Sequence, residues 1–258
     1  MLMKILILGD VSRTSACHYL KEHLRRFIRE NGVEFTIVNG ENSAENNGIS
    51  RASAGMLFDA GADVITTGNH AFKNYESKSL FEDHENILRP ANYPGNVPGD
   101  GVLLTDVGGM TALIINLLGV IMMEPLENPF YAAQKILKRY EGKYDISILD
   151  FHAEATSEKK AMGYYLEGRV SAVVGTHTHV QTNDEEILGG HTGYITDVGM
   201  TGAKRSVLGV DKDVIIARLT TYYPQKHTYP EGKIMINAVV ISIDEKTGKC
   251  IAIEKINI

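Results

Sequence analysis

Short apolar runs of strand length recur along this chain, and each stops at a cluster of glycine and polar residues. "KILIL" runs into Gly9-Asp10, and "FTIV" into Asn39-Gly40-Glu41-Asn42. "DVITT" is followed by Gly68-Asn69-His70, and "DISIL" by Asp150-Phe151-His152-Ala153-Glu154. "VSAVV" ends in Gly175-Thr176-His177-Thr178-His179, and a sixth run, "GYI", in Thr196-Asp197-Val198-Gly199. Parallel strands deliver their C-terminal ends to one edge of a sheet, where α/β proteins usually build their sites. The pattern therefore constrains the fold and the place of a site together.

The stretches between the runs set the architecture. "SACHYLKEHLRRFIREN" puts Leu20, Leu24, Phe27 and Ile28 on one helical face. Ser50 is placed to cap a helix through "RASAGMLFDAG", and helical pattern returns in "NYESKSLFEDH", in "PFYAAQKILKRY" with Pro129 near its start, and in "SEKKAMGYYLEG". "GVLLTDVGGMTALIINLLG" reads as a hairpin turning at Gly108-Gly109. The last third turns to β, with "KIMINAVVISID" and "CIAIEKINI" pairing across Glu245–Lys249. The expectation is one mixed α/β domain over residues 1–258, with helices outside and more than one sheet inside. The hairpins speak against a purely parallel doubly wound sheet.

Composition narrows the class of function. The chain is 43% hydrophobic and 22% charged, ordinary for a soluble globular protein. A net charge of −6 argues against a nucleic-acid polymer as a partner, which wants clustered Lys and Arg, but leaves room for a small phosphate ligand. Two cysteines, Cys17 and Cys250, make no disulfide framework, so a reducing cytoplasm is the expected location. "MLMKILILGD" reads as a first strand, and no apolar run reaches membrane length, so no membrane partner is expected. No interface stripe is readable, although a homo-oligomer is compatible with such a chain.

The polar clusters carry the chemistry. In an extended backbone, alternate side chains point the same way, so His177 and His179 would face one point. Histidine is the commonest metal ligand. Carboxylates, Asn-His and Glu-Asn pairs and further histidines make a mixed nitrogen and oxygen set, which suits iron, manganese or zinc better than calcium. There are too many groups for one tetrahedral zinc, and a two-metal centre with one bridging carboxylate uses them all.

"GNH" and the later "GTHTH" resemble motifs of the calcineurin-like metallophosphoesterases. "GDV", "NGEN", "LRPANYP", "DFHAEATSEK", "VSAVVGTHTHVQT" and "YITDVGMTG" look like the YmdB-like branch of that superfamily, from Met3 nearly to the C-terminus. The resemblance implies a four-layer αββα sandwich. It implies that Asp10, Glu41, Asn42 and His179 hold one metal, and that Glu41, Asn69, His152 and His177 hold the other. It makes His70 the proton donor, 2',3'-cyclic nucleotides the favoured substrates, and iron the metal, with manganese or zinc as alternatives. Two metals about 3.5–4 Å apart would share a hydroxide and hold a phosphodiester by its oxygens. A cationic His70 beside them needs a compensating carboxylate or carbonyl.

The sequence departs from that pattern around the ligands. "GDVSRTSAC" lacks the usual glycine of its turn and puts Arg13 and Cys17 nearby. Ala71-Phe72-Lys73-Asn74 stands where a Trp-Asp is usual, Leu118-Gly119-Val120 where Gln-Gly-Arg is common, and Ala203-Lys204-Arg205-Ser206 where Pro-Tyr-Asp is. Blander readings compete with each ligand. Asp10 could cap the first helix, though Ser12, Thr14 and Ser15 can do that instead, and Asn42 could orient Glu41 rather than touch metal. Glu154 and Thr156 read as supports of His152 or of the next helix, and Asp197 as support for a histidine ligand or a turn residue. Two other functions stand against a phosphodiesterase: a regulatory protein whose metal is structural, and a metal-dependent amide hydrolase. The latter carries its His-x-His on the first strand of an eightfold barrel, which is absent here.

Overall fold

In strand after strand, one row of alternating side chains is apolar and meets the same layer of partners. The computed structural model describes residues 2–258. In chain order the elements are β1 (Leu2–Leu8), β2 (Asp10–Val11), α1 (Arg13–Asn31), β3 (Phe35–Asn39), α2 (Arg51–Ala60), β4 (Val64–Thr66), α3 (Ser77–Asp83) and β5 (Ile87–Leu88). Then come β6 (Val102–Val107), β7 (Met110–Leu118), α4 (Pro129–Arg139), β8 (Ile146–His152), α5 (Thr156–Leu166), β9 (Ala172–Thr176), β10 (Glu186–Leu188) and β11 (Thr192–Ile195). The remainder is β12 (Met200–Ala203), α6 (Lys212–Thr221), β13 (Ile234–Met235), β14 (Asn237–Asp244) and β15 (Cys250–Asn257).

Two six-stranded sheets result, ordered β15-β14-β1-β3-β4-β5 and β10-β11-β9-β8-β7-β6. Within the first, β1, β3, β4 and β5 run parallel, and β14 joins β1 antiparallel with Leu2 opposite Asp244. Within the second, β7, β8, β9 and β11 are parallel. The sheets face each other across one core that includes Ile5, Ile7, Ile37, Ile114, Ile148 and Val174. A second core packs α1 and α2 on the outer face of the first sheet, with Leu20, Leu24 and Leu57 buried. A third packs α4 and α5 outside the second sheet, around Leu137, Met162 and Phe151. These are the four layers expected, helix, sheet, sheet, helix.

Local signals account for the elements. Ser50 and Ser53 form a reciprocal capping box at α2, and Asn128 with Pro129 starts α4. Gly108 and Gly109, at φ 59° and 88°, make the two-residue turn of the β6–β7 hairpin, a backbone that glycine adopts without strain. The last third is not all β. It contains α6, which Asp211 caps by accepting the N–H groups of Asp213 and Val214. It also contains a small third sheet, β13-β12-β2, that closes over the end of β1. No helix among the described residues is long and apolar enough to cross a membrane.

Candidate metal centre

The row of each strand that faces the opposite sheet turns from apolar to polar at the C-terminal end. On β3 it runs Phe35, Ile37, Asn39; on β7, Ile114, Asn116; on β8, Ile146, Ile148, Asp150, His152; on β9, Ala172, Val174, Thr176. The inter-sheet core therefore ends in buried polar groups, and these must find partners across the gap. Asp150 is the hub. Its carboxylate accepts from Thr66 Oγ1 at 2.5 Å, Thr176 Oγ1 at 2.7 Å and Asn39 Nδ2 at 3.2 Å, tying both sheets together. Burial still pushes its carboxyl up to about 6, with the Thr66 hydrogen bond and the His152 charge opposing.

Above this hub four sequence-predicted side chains converge. His152 Nε2 lies 3.3 Å from Glu41 Oε2, 3.1 Å from Asn69 Oδ1 and 3.0 Å from His177 Nδ1. His152 Nδ1 is set to donate to Thr176 Oγ1 at 2.9 Å, which turns Nε2 toward the others. His177 Nε2 is held by Glu154 Oε2 at 2.9 Å, so its Nδ1 also points inward as an acceptor. Acceptors this close repel one another unless a cation or a proton sits among them. Glu41, His152 and His177 are arranged so that they could hold a metal ion.

The second group adjoins the first through Glu41. His179 Nε2 lies 3.5 Å from Asp10 Oδ1 and 3.3 Å from Asn42 Nδ2, while its Nδ1 is held by the Leu208 carbonyl at 3.1 Å. Asp10 is fully buried. Its Oδ2 accepts the His177 N–H, but its Oδ1 has no hydrogen-bond partner, an acceptor left free in the direction of His179. Asn42 has both amide ends engaged: Nδ2 donates to Glu41 Oε1 at 2.9 Å, and Oδ1 faces His70 Nδ1 at 2.8 Å. His70 Nδ1 also lies 3.3 Å from Glu41 Oε1, which supplies the compensating carboxylate and carbonyl that His70 was expected to need.

Charge follows the geometry. Burial raises the Asp10 carboxyl, but the close approach of His179 and the charge of His152 outweigh it and hold Asp10 below its ordinary value. Glu41 is held well below its own, against burial, by His152 and His70. Burial depresses His152, yet Glu41, Asp10 and Asp150 raise it to about 9. His177 moves down, through burial and the charge of His152. His179 moves up, because Asp10 and Glu41 outweigh its burial.

All eight predicted residues thus meet at one edge, but not by the backbone expected. β9 ends at Thr176, and His177 and His179 adopt positive φ values of 105° and 62° rather than an extended chain. Such conformations are strained for non-glycine residues and persist only where the surroundings impose them. Asp197 imposes this one: its Oδ2 accepts the N–H and the hydroxyl of Thr178, between the two histidines, and pairs with buried Lys159 at 2.6 Å. Asp10 caps no helix, and neither does Ser12, whose side chain makes no capping bond at α1. Arg13 keeps a left-handed φ of 77°, with its N–H on the Asn42 carbonyl. Cys17 is a packed helix residue. Glu154 supports His177 rather than His152. Sequence reasoning missed Asp150, Asn39, Thr66, Thr176 and the Leu208 carbonyl as supports. The first four were legible as polar residues on the inward row of a strand; Leu208 carried no signal.

Two facing sheets, helices on both outer sides and this cluster at the strand ends define the metallophosphoesterase sandwich. The chain belongs to the YmdB-like protein family, whose model matches residues 6–256. It is 43% identical over 254 residues to the 2',3'-cyclic-nucleotide 2'-phosphodiesterase of Bacillus subtilis (strain 168), covering 98% of this chain and 96% of that protein. Among solved structures it is similar to a hypothetical protein from Thermus thermophilus, at 39% identity, TM-score 0.92 and 99% coverage of each chain. A novel phosphatase from Mycoplasma pneumoniae is similar at 31% identity and TM-score 0.93, covering 100% of this chain and 94% of that one.

Proposed function

We propose that this chain, acting as one domain, is a two-metal phosphodiesterase for small phosphodiesters, with 2',3'-cyclic nucleotides as favoured substrates. The observation that carries the reading is the set of ligand-type atoms turned on one another: Asp10 Oδ1 without a partner, and His152 Nε2, His177 Nδ1 and Glu41 Oε2 in mutual contact. In this reading Asp10, Glu41, Asn42 and His179 hold one ion, and Glu41, Asn69, His152 and His177 the other, with Glu41 shared. A metal pair bound there supplies Lewis acidity toward the phosphoryl oxygens and a nucleophile at neutral pH, by lowering the pKa of water to roughly 7. Iron is the proposed metal, with manganese or zinc as alternatives, since the donors mix imidazole, carboxylate and amide oxygen.

The chain's own residues do the rest. His70 is oriented through Nδ1 by Asn42 Oδ1 and Glu41 Oε1, which leaves Nε2 as the nitrogen that gives a proton to the leaving oxygen. The supports of the three histidine ligands fix which nitrogen each presents, by Thr176, Glu154 and the Leu208 carbonyl. The choice of a cyclic nucleotide rests on the Bacillus subtilis relative.

Metal-stripped protein titrated with Mn²⁺, or anaerobically with Fe²⁺, tests the reading against 2',3'-cyclic AMP. Turnover should rise to a plateau near about two equivalents. Asn69→Ala and His177→Ala should each abolish it while the circular dichroism spectrum persists. Tight metal uptake without hydrolysis of any phosphodiester would reject catalysis and leave a metal-binding regulatory protein. Full turnover in both variants would reject the ligand assignment.

A further inference from the structure

A cavity of about 420 Å³ opens between α4 and the segment 89–101 that joins β5 to β6. That is within the size range of small-molecule sites. None of the proposed metal ligands lines it, but Arg89 does. Arg89 is only 5% exposed. Its Nε donates to the Pro98 carbonyl at 3.2 Å, and its Nη1 to the Pro90 carbonyl at 2.9 Å. Its Nη2 has no such partner, and among the described residues no carboxylate lies within ion-pair distance of the guanidinium. Burial holds its pKa below the ordinary value, against the charges of Asp100 and Tyr93. A buried charge that only carbonyls attend is costly. The N–H groups still free on such a fork suit a phosphate or a carboxylate.

The rest of the lining says what the anion is attached to. Lys135 and Arg139 stand one helical turn apart on α4 and both face the cavity. Lys135 is paired with Glu127, so its charge is already met. Arg139, whose guanidinium lies 5.4 Å from the centre of the Tyr140 ring, has no acid partner among the described residues. Tyr93 and Tyr140 supply aromatic surface, and Val102 and Ile136 apolar surface. Asp100 also lines the cavity and is in no ion pair among the described residues, which leaves its carboxylate to accept from hydroxyl or amino groups. Inorganic phosphate would use the arginines and leave most of the volume empty. A fatty acid would leave Asp100 against its chain. A planar base on a tyrosine, sugar hydroxyls toward Asp100 and a phosphate on the two arginines use every group. Tyr93 also meets Phe72 edge-on at 5.3 Å, two residues beyond His70, so the cavity adjoins the metal centre without sharing a ligand with it.

We infer that this cavity binds a nucleoside monophosphate, with Arg89 and Arg139 holding the phosphate, at a site separate from the metal centre. Calorimetric titration with AMP tests it. The titration is run on the intact protein and on His177→Ala, in which the metal centre is broken, so the outcome does not depend on whether that centre turns over. Both proteins should bind AMP in the cavity, and the amide resonances of Gly95 and Gly101, which line it, should shift on binding. Arg139 is exposed, so Arg139→Glu removes a contact without disturbing a buried group. In the His177→Ala background it should weaken AMP at least about tenfold, the loss expected for a charge-assisted hydrogen bond. Adenosine and inorganic phosphate should each bind at least about tenfold more weakly than AMP, since each gives up one half of the contacts. No saturable binding of AMP to His177→Ala below millimolar concentration overturns the inference, and so does an unchanged affinity after Arg139→Glu. Inorganic phosphate bound as tightly as AMP would overturn it in favour of a bare anion site, and adenosine bound as tightly would remove the phosphate from it.

Discussion

His152 shows how one residue can carry a proton as a placeholder for a metal. Its neighbours Glu41, Asp10 and Asp150 raise its pKa to about 9, against the burial that would lower it. In the metal-free protein at neutral pH it is therefore an imidazolium, and its proton separates acceptors that otherwise repel. A metal needs the neutral ring, so binding must displace that proton. The sign follows: below pH 9 the proton competes, and metal affinity should fall roughly tenfold for each unit of decreasing pH until another group takes over. Calorimetric titration of stripped protein at pH 7 in buffers of different ionisation enthalpy should register about one proton released from this residue. A heat independent of buffer would mean that His152 is already neutral.

At the scale of elements, the strands were legible and the loops only in part. Period-two rows ending in Asn39, Asp150-His152 and Thr176 follow from the pleat, so a polar residue in the inward row of a buried strand can be recognised from sequence. The left-handed turns at Arg13, His177 and His179 could not be recognised so, because they are imposed by contacts from distant parts of the chain. α6 was hidden for a related reason: it makes no core contact, so it shows no amphipathic face. Two substitutions test the elements that hold the site. A Cβ on Gly68 would run into the His152 ring and Glu41 Oε2. Gly68→Ala should therefore lose metal uptake, measured by emission spectrometry of dialysed protein, while the far-ultraviolet spectrum is retained. Asp197→Ala would strand Lys159, buried to 1% exposure, without its partner. Breaking such a pair costs about 3–5 kcal/mol, which chemical denaturation should read as a lowered midpoint. A variant as stable as the wild type would mean that the ion pair does not hold the His177–His179 turn.

For the whole molecule, the facing of the sheets is what makes the centre. Asn39 and Thr66 come from the first sheet, Asp150 and Thr176 from the second, and the hub they form exists only when the two are docked. Ile148 lies in the inter-sheet core on the same row as Asp150 and His152. Ile148→Ala should cost about 2–5 kcal/mol of stability and weaken metal retention with it. Unchanged metal retention in a clearly destabilised variant would separate the centre from the sandwich. The order of the first sheet has one more consequence. β1 emerges from the ribosome long before one of its two neighbours, β14. Until β14 has been made, β1 presents an open edge of Leu6, Ile7 and Leu8, the kind that pairs with other chains. The nascent protein should depend on a holding chaperone until β14 arrives, more than its finished stability would suggest.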